Sequence, residues 1–249
     1  MLMVTIVYYP GDIAAKGTAE ILEREYSIKV TPIPNDSPFH DFSDIDDDVI
    51  IVLSRHKSSK EIKSFTVHHT GNIGPTNELG GKPREVSIAF PSIACSLLRS
   101  LKDAARDRED YEVAYEATHH GPTVNKAIIF IEIGSSEKQW GDPKNHYVLA
   151  KAVARYKDFG CSGIRSIWIG GPHYSSRASK RCFSDEACFG HIVAKYNVPY
   201  LDDEMLKKIV EKSMEKIERA YLEKKSMKSE QRKHVRNLLE EWGIEVVSV

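Results

Sequence analysis

The chain has 249 residues, 41% of them hydrophobic, enough to bury a core as one large domain or as one domain with an appendage. Its formal net charge of −1 excludes a uniformly basic nucleic-acid binder, yet the sum hides an asymmetry. Asp36, Asp41, Asp44, Asp46, Asp47 and Asp48 crowd one segment, while Lys and Arg outnumber acids between Lys207 and Arg236. No apolar run approaches the roughly 20 residues that span a bilayer, and the apolar start is too short for a signal peptide, so a cytoplasmic rather than a membrane protein is expected. Cys95, Cys161, Cys182 and Cys188 lack C-x-x-C spacing, which argues against a zinc ribbon or a disulfide framework and for a reducing compartment.

In chain order, Met3 to Tyr8 reads as a buried strand ended by Pro10-Gly11, and Asp12 to Glu25 as a helix with Ile13, Ala14, Ala19, Ile21 and Leu22 near helical spacing. Lys16 lies early in that helix, a solvated lysine or a phosphate contact. Ser27 to Thr31 reads as a second strand, and the aspartate-rich stretch as a solvated loop with no metal-loop pattern. Val49 to Leu53 is a third strand, stopping at Ser54-Arg55-His56-Lys57-Ser58-Ser59. Phe65 to Val67 is a fourth, stopping at His68-His69-Thr70-Gly71-Asn72. Adjacent strand residues face opposite sides, so only one of His68 and His69 can enter a pocket there; His69, beside the turn, is favoured.

The Gly- and Pro-rich stretch from Asn72 to Pro83 is a loop that could wall a site. Ser92 then caps a scaffold helix running through Ile93, Ala94, Leu97, Leu98 and Leu101. Tyr111 to Thr118 and Ala127 to Ile133 are strands, each ending in a dense polar group: Glu116 to Thr123 and Gly134 to Asp142. Lys144 to Phe159 is a helix closed by Gly160, and Ser166 to Ile169 a strand ending at Gly170-Gly171-Pro172-His173. Cys182 to Ala194 is ambiguous and suits a packed helix. Asp203 to Tyr221 carries one apolar helical face, Gln231 to Trp242 continues helical, and Ile244 to Val249 is a last strand. The whole reads as a single α/β domain over 1–249, with a mixed, mostly parallel central sheet flanked by helices and a basic helical region at 203–242 packed on it.

His56, His69, His119, His120 and His173 all fall where apolar runs stop, with Glu137 and Asp142 following another. A buried imidazole needs partners at both nitrogens, so a shared pocket is the simpler account than scattered core niches. Imidazole can take a proton from water or give one to a leaving group, and several His with a carboxylate can hold zinc, so both routes point to hydrolysis. No H-E-x-x-H and no G-x-S-x-G is present.

Taken together, Ser54-Arg55-His56, His69-Thr70-Gly71-Asn72, Glu116-Ala117-Thr118-His119-His120-Gly121-Pro122-Thr123, Glu132-Ile133-Gly134-Ser135-Ser136-Glu137 with Trp140, and Gly170-Gly171-Pro172-His173-Tyr174 resemble the archaeal and plant type of D-aminoacyl-tRNA deacylase. The resemblance runs over nearly the whole chain and is weakest in the basic C-terminal part. It implies hydrolysis of the ester between a D-amino acid and the terminal ribose of tRNA, a zinc-containing site, and an α/β core similar to peptidyl-tRNA hydrolase and nucleoside phosphorylases. Joined to the residue reading, it places His119, His120 and Glu137 nearest the chemistry, with His69, His120 and His173 as metal ligands. Lys16, His56, Asn72, Thr123 and Arg177 would contact substrate, and the chain would be a monomer or a simple homodimer. The rivals are a zinc-dependent hydrolase or phosphorylase of small molecules and a non-catalytic RNA-binding protein.

Overall fold

A computed structural model describes residues 2–57 and 61–249; Ser58 and Ser59 of the expected strand-end motif lie outside the described residues. The chain order is β1 (Val4–Tyr8), α1 (Ile13–Tyr26), β2 (Thr31–Pro32), β3 (Val49–Lys57), β4 (Ser64–His69), β5 (Gly71–Asn72), β6 (Glu85–Val86), α2 (Pro91–Ala104), β7 (Glu112–Tyr115) and β8 (Ala127–Ser135). There follow α3 (Glu137–Trp140), α4 (Pro143–Arg155), β9 (Ile164–Ile169), α5 (Ser176–Phe183), β10 (Ala187–Val193), α6 (Asp203–Glu211), β11 (Arg219–Leu222), α7 (Ser229–Glu241) and β12 (Glu245–Ser248).

Six strands form one sheet in the order β2-β1-β3-β8-β4-β7, parallel except where β4 meets β8. A second sheet, β10-β9-β11-β12, is parallel throughout. Period-2 alternation divides the larger sheet cleanly. Ile51, Leu53, Phe65, Val67, Ile129, Ile131 and Ile133 pack under α1, α2 and α4, whereas Val7, Ile50, Val52, Ile128 and Phe130 face the other way and are covered by Ile33, Phe42 and Ile45. The aspartate-rich stretch therefore roofs that second face: its carboxylates alternate with two fully or nearly buried apolar anchors. Asp12, itself buried, accepts from Ala14 and Ala15 N–H to start α1 and also from Arg55 N–H, tying helix to strand.

Four expectations about secondary structure are corrected. Ala187–Val193 is a wholly buried strand, β10, rather than helix; its β-branched and aromatic residues beside β9 fit a parallel sheet covered on both faces. The 203–242 region is not continuously helical, because β11 lies between α6 and α7 as an inner strand of the second sheet. The strand expected at Ser27 to Thr31 shrinks to Thr31–Pro32. The helix α2 opens at Pro91 as expected, but Phe90 and not Ser92 holds the N-cap position.

The cysteines are a fifth correction. Cys95 in α2 is disulfide-bonded to Cys182 in α5, and Cys161 to Cys188 in β10, with sequence separations of 87 and 27. Alkylation without reductant should find no free thiol, and Cys95→Ala with Cys182→Ala should lower unfolding stability by about 2–4 kcal/mol in denaturant titrations.

Candidate active site

The site is the polar end of the second face of the larger sheet. Ile50, Val52, Ser54 and His56 share one side of β3, Ile128, Phe130 and Glu132 one side of β8, and Thr66 and His68 one side of β4. Strand register sets His68 against Phe130, Ser54 and Thr66 against Glu132, and His56 against Gly134. A side chain at Gly134 would collide with Ser64 Oγ, so this position leaves His56 its room. Trp140 Nε1 donates to His56 O at 3.0 Å, closing the end of β3.

The segment after β7 supplies the rest. It leaves the larger sheet at Tyr115 and bonds to the second: Ala117 N–H donates to His173 O and Thr118 N–H to Ile192 O, both at 2.8 Å. His120 then turns at φ 43°, and its carbonyl accepts from Gly71 N–H at 2.9 Å. Because the chain has quit strand geometry here, the rings of His119 and His120 stand 4.3 Å apart, facing one pocket.

Two carboxylates, Glu116 and Glu132, sit inside this ring of histidines at 1% exposure each. His173 Nε2 lies 2.9 Å from Glu116 Oε2, and His56 Nδ1 lies 3.2 Å from it and 3.5 Å from Glu132 Oε2. Burial alone would favour protonated carboxyls, but His173 and His56 hold Glu116 below the usual carboxylate range, and His56 and His68 do the same for Glu132. The converse holds for His56: burial opposes its charge, yet Glu132 and Glu116 outweigh it and push the imidazole up to about 9. His56 thus donates from Nε2 to the Tyr174 hydroxyl, 2.8 Å away. The Tyr196 phenol, pushed up to about 12 by burial and Glu116, donates to His173 Nδ1 at 3.0 Å.

The other three imidazoles are held differently. His68 Nδ1 donates to His69 O at 3.1 Å, His119 Nδ1 to Ala117 O at 2.8 Å, and His120 Nδ1 to Gly121 O. Each leaves Nε2 facing the pocket, and ligand atoms of the three lie within 4.8 Å of one another. Burial, reinforced by neighbouring imidazoles, drives His119 well below its ordinary value and His120 to about 4, so both are neutral, whereas at His68 burial is outweighed by Glu132, 3.5 Å from its Nε2, and the imidazole is raised. A neutral Nε2 lone pair of His119 then faces Glu116 Oε2 at 3.5 Å, acceptor against acceptor. Among the described residues, His68 Nε2, Glu116 Oε1 and Glu132 Oε2 also lack hydrogen-bond partners despite full burial. Such a set of buried orphans is what a cation would satisfy, so the residues fit zinc. His56 and His173 already engage both ring nitrogens, which leaves His68, His119 and His120 as the better donor set.

The sequence expectations meet this geometry unevenly. His56, His119, His120 and His173 converge, and His68 takes the place expected of His69. His69 points to the helix-covered face, where Nδ1 donates to Gly190 O at 3.1 Å and Nε2 accepts from Phe90 N–H at 3.0 Å; with both nitrogens used it cannot ligate. Glu137 is exposed at the start of α3, outside the cluster. Asn72 Nδ2 donates to Gly80 O at 2.8 Å and Thr123 Oγ accepts from Lys82 N–H at 2.7 Å, so both side chains clamp the 72–83 loop, which walls the site. Lys16 is exposed on α1, and Arg177, on α5, leans over Trp168 near Glu223. Glu132 and Glu116 were quoted as motif residues without a role; the signal for Glu132 was a lone acid inside Ala127–Ser135, a strand buried at every position.

Anchored imidazoles beside ionised, buried carboxylates on an α/β scaffold mark a hydrolytic enzyme. The family described as D-aminoacyl-tRNA deacylase matches residues 43–247. The D-aminoacyl-tRNA deacylase of Ignicoccus hospitalis is 56% identical over 248 residues, covering 100% of both chains, and that of Staphylothermus marinus 38% identical over 96% of both. A crystal structure of a conserved protein of unknown function superposes with a TM-score of 0.89 at 27% identity, covering 99% of this chain and 95% of the other. This chain belongs to the D-aminoacyl-tRNA deacylase family.

Behind the site, His191 Nε2 donates to Ser87 O at 3.0 Å and Nδ1 accepts from the Thr118 hydroxyl at 3.1 Å. Burial lowers His191 to about 4 and, with His191 nearby, lowers His69 well below its ordinary value. Above about pH 6.5 both are neutral in folded and unfolded chains, and no penalty arises. Between about pH 6.5 and 4 the unfolded chain binds protons that the folded one refuses, so stability falls with pH, by up to about 3 kcal/mol for His191. Denaturant titrations across that window should show the loss, and His191→Gln should lessen it, with His69, His119 and His120 carrying the remainder.

Proposed function

We propose that this protein hydrolyses the ester linking a D-amino acid to the terminal ribose of tRNA, releasing the free amino acid and tRNA. The observation that carries the reading is the inward convergence of His68, His119 and His120 on Glu116 and Glu132, in a chain that matches deacylases end to end. His68, His119 and His120 would hold zinc through Nε2, and the metal would polarise the ester carbonyl and acidify water. Glu116 Oε1, buried without a hydrogen-bond partner, accepts a proton from the attacking water. His56, charged and lining the open cleft, gives its Nε2 proton to the departing ribose oxygen. The water oxygen bonds to the carbonyl carbon, the bond to ribose oxygen breaks, and the products are a carboxylate and a hydroxyl. His173, fixed between Tyr196 and Glu116, positions the base.

Arg55, which lines the same cleft, is paired with Asp12 at 3.3 Å and Asp36 at 2.9 Å, so it braces the cleft wall, and the acceptor-stem phosphates are left to lysines and arginines farther out, which position without reading sequence. The basic C-terminal part contributes less than its composition suggests, because Lys212 pairs with Glu85, Lys208 with Glu204, Arg219 with Glu245 and Arg236 with Glu240. Among the described residues no helix is long and apolar enough to cross a membrane, consistent with action in the cytoplasm, where charged tRNA is used.

Purified protein should release D-tyrosine from D-tyrosyl-tRNA and leave the L-ester largely intact, with chelation abolishing turnover and zinc restoring it. Equal rates on both esters would reject the substrate reading; chelation without effect would reject only the metal. Single-turnover assays should show Glu116→Gln slower by about 10²-fold or more, while Glu137→Gln stays within about twofold, as its exposed position requires.

A further inference from the structure

The cluster opens into two clefts, and His119 and His120 form the wall between them. The first, about 340 Å³, is lined by Asp36, Phe39, Arg55, His56, Leu79 and Glu132 among others. Phe39 and Leu79 stand 58% and 59% exposed there, two large apolar groups turned to the cleft, beside Asp36 paired with Arg55 at 2.9 Å and Glu132 held by His56 and His68. The second, about 400 Å³, runs between the Gly71–Thr76 backbone and Tyr196, Asn197 and Tyr200. Apart from the shared histidines, its lining carries no ionisable side chain except two phenols, 53% and 43% exposed at Tyr196 and Tyr200.

The chemistries differ in the way the two halves of an aminoacyl ester differ. A variable amino-acid side chain suits an exposed apolar wall such as Phe39 and Leu79. A neutral nucleobase suits an exposed ring to stack on and amide groups at its edge. We infer that the Tyr196–Tyr200 cleft holds the 3′-terminal nucleoside of the substrate and that the Phe39–Leu79 cleft holds the aminoacyl group, with the ester at His119 and His120.

This assignment rests on the deacylase reading above, and two details support it. The nucleoside platform is braced in advance: Arg84 donates to Tyr200 O at 3.0 Å and pairs with Asp202 at 2.6 Å, while the Tyr200 ring lies over Gly74, where an added Cβ would meet it at 3.3 Å. One loop also serves both clefts, with Asn72 in one and Leu79 in the other, and the bond from Asn72 to Gly80 O fixes their spacing.

The test compares wild type, Tyr200→Ala, Tyr200→Phe and Leu79→Ala on D-tyrosyl-tRNA and D-alanyl-tRNA, with calorimetric titration of adenosine alongside. Tyr200→Ala should raise KM about tenfold on both esters, in line with the loss of one stacked base, weaken adenosine binding equally, and be rescued by Tyr200→Phe. Leu79→Ala should leave adenosine binding intact and change the D-tyrosyl to D-alanyl ratio of kcat/KM severalfold. An unchanged KM in a folded Tyr200→Ala, or a D-tyrosyl to D-alanyl ratio that follows Tyr200 instead of Leu79, overturns the assignment. Failure of the deacylase reading would look different: wild type would spare both esters, and adenosine binding would still report on the cleft.

Discussion

Glu116 and Glu132 are two negative charges fully withdrawn from water, and the arrangement of the centre follows from what it takes to keep them ionised. Each buried carboxylate carries a desolvation cost of several kcal/mol that only close positive charge or directed hydrogen bonds can offset. Imidazoles supply both, and the protein uses them in two ways. His56 and His173 reach the carboxylates directly and take their second partners from Tyr174 and Tyr196. His68, His119 and His120 are instead pinned by backbone carbonyls so that Nε2 faces the pocket, that of His68 toward Glu132 at 3.5 Å. The first pair tunes proton affinity, His68 shares that task, and His119 and His120 offer lone pairs. A centre with only the first kind would be a closed ion-pair network, with little left to act on a substrate.

The sheet explains why these residues meet. The polar end of β3, β4 and β8 continues the very face whose earlier positions are Ile50, Val52, Ile128 and Phe130, so the site is a core face whose last layer has been exchanged for acids and imidazoles. Phe130 shows the transition, lying 5.3 Å from the His68 ring and 5.1 Å from His120. Its apolar bulk lowers the local dielectric on one side of the cluster, which strengthens every charge interaction there.

Much of this was legible in the sequence where physics is local. Strong apolar runs marked β1, β3, β8 and β9, helical spacing marked α1, α2 and α4, and the stops of those runs located His56, His119, His120 and His173. Parity reasoning on His68 and His69 was sound in principle and chose the wrong member, because β4 continues through His69 and the even residue shares its face with Thr66. Counting parity across strands, rather than nearness to a turn, would have selected His68 and Glu132 together. Glu137 follows a strand end as the histidines do, but it opens α3 and helix geometry sends it to the surface. The disulfides were beyond local reading, since the spacing of Cys95 and Cys182 says nothing about α2 packing on α5. β10 and β11 were missed because a short buried strand and a short amphipathic helix share a composition, and only the neighbouring β9 decides between them.

The segment from Glu116 to His120 belongs to neither sheet. It is stitched to the larger one through Val67, to the smaller through Ile192, and to the loop after β9 through His173. The centre therefore works as a joint: its geometry exists only while the two sheets, which share a core through α2 and Phe189, stay in register. A small slip between them is enough to lose the alignment of His119 with Glu116. Heat or denaturant would then act on activity as a loosened hinge acts on a lock, disabling it while both doors still stand.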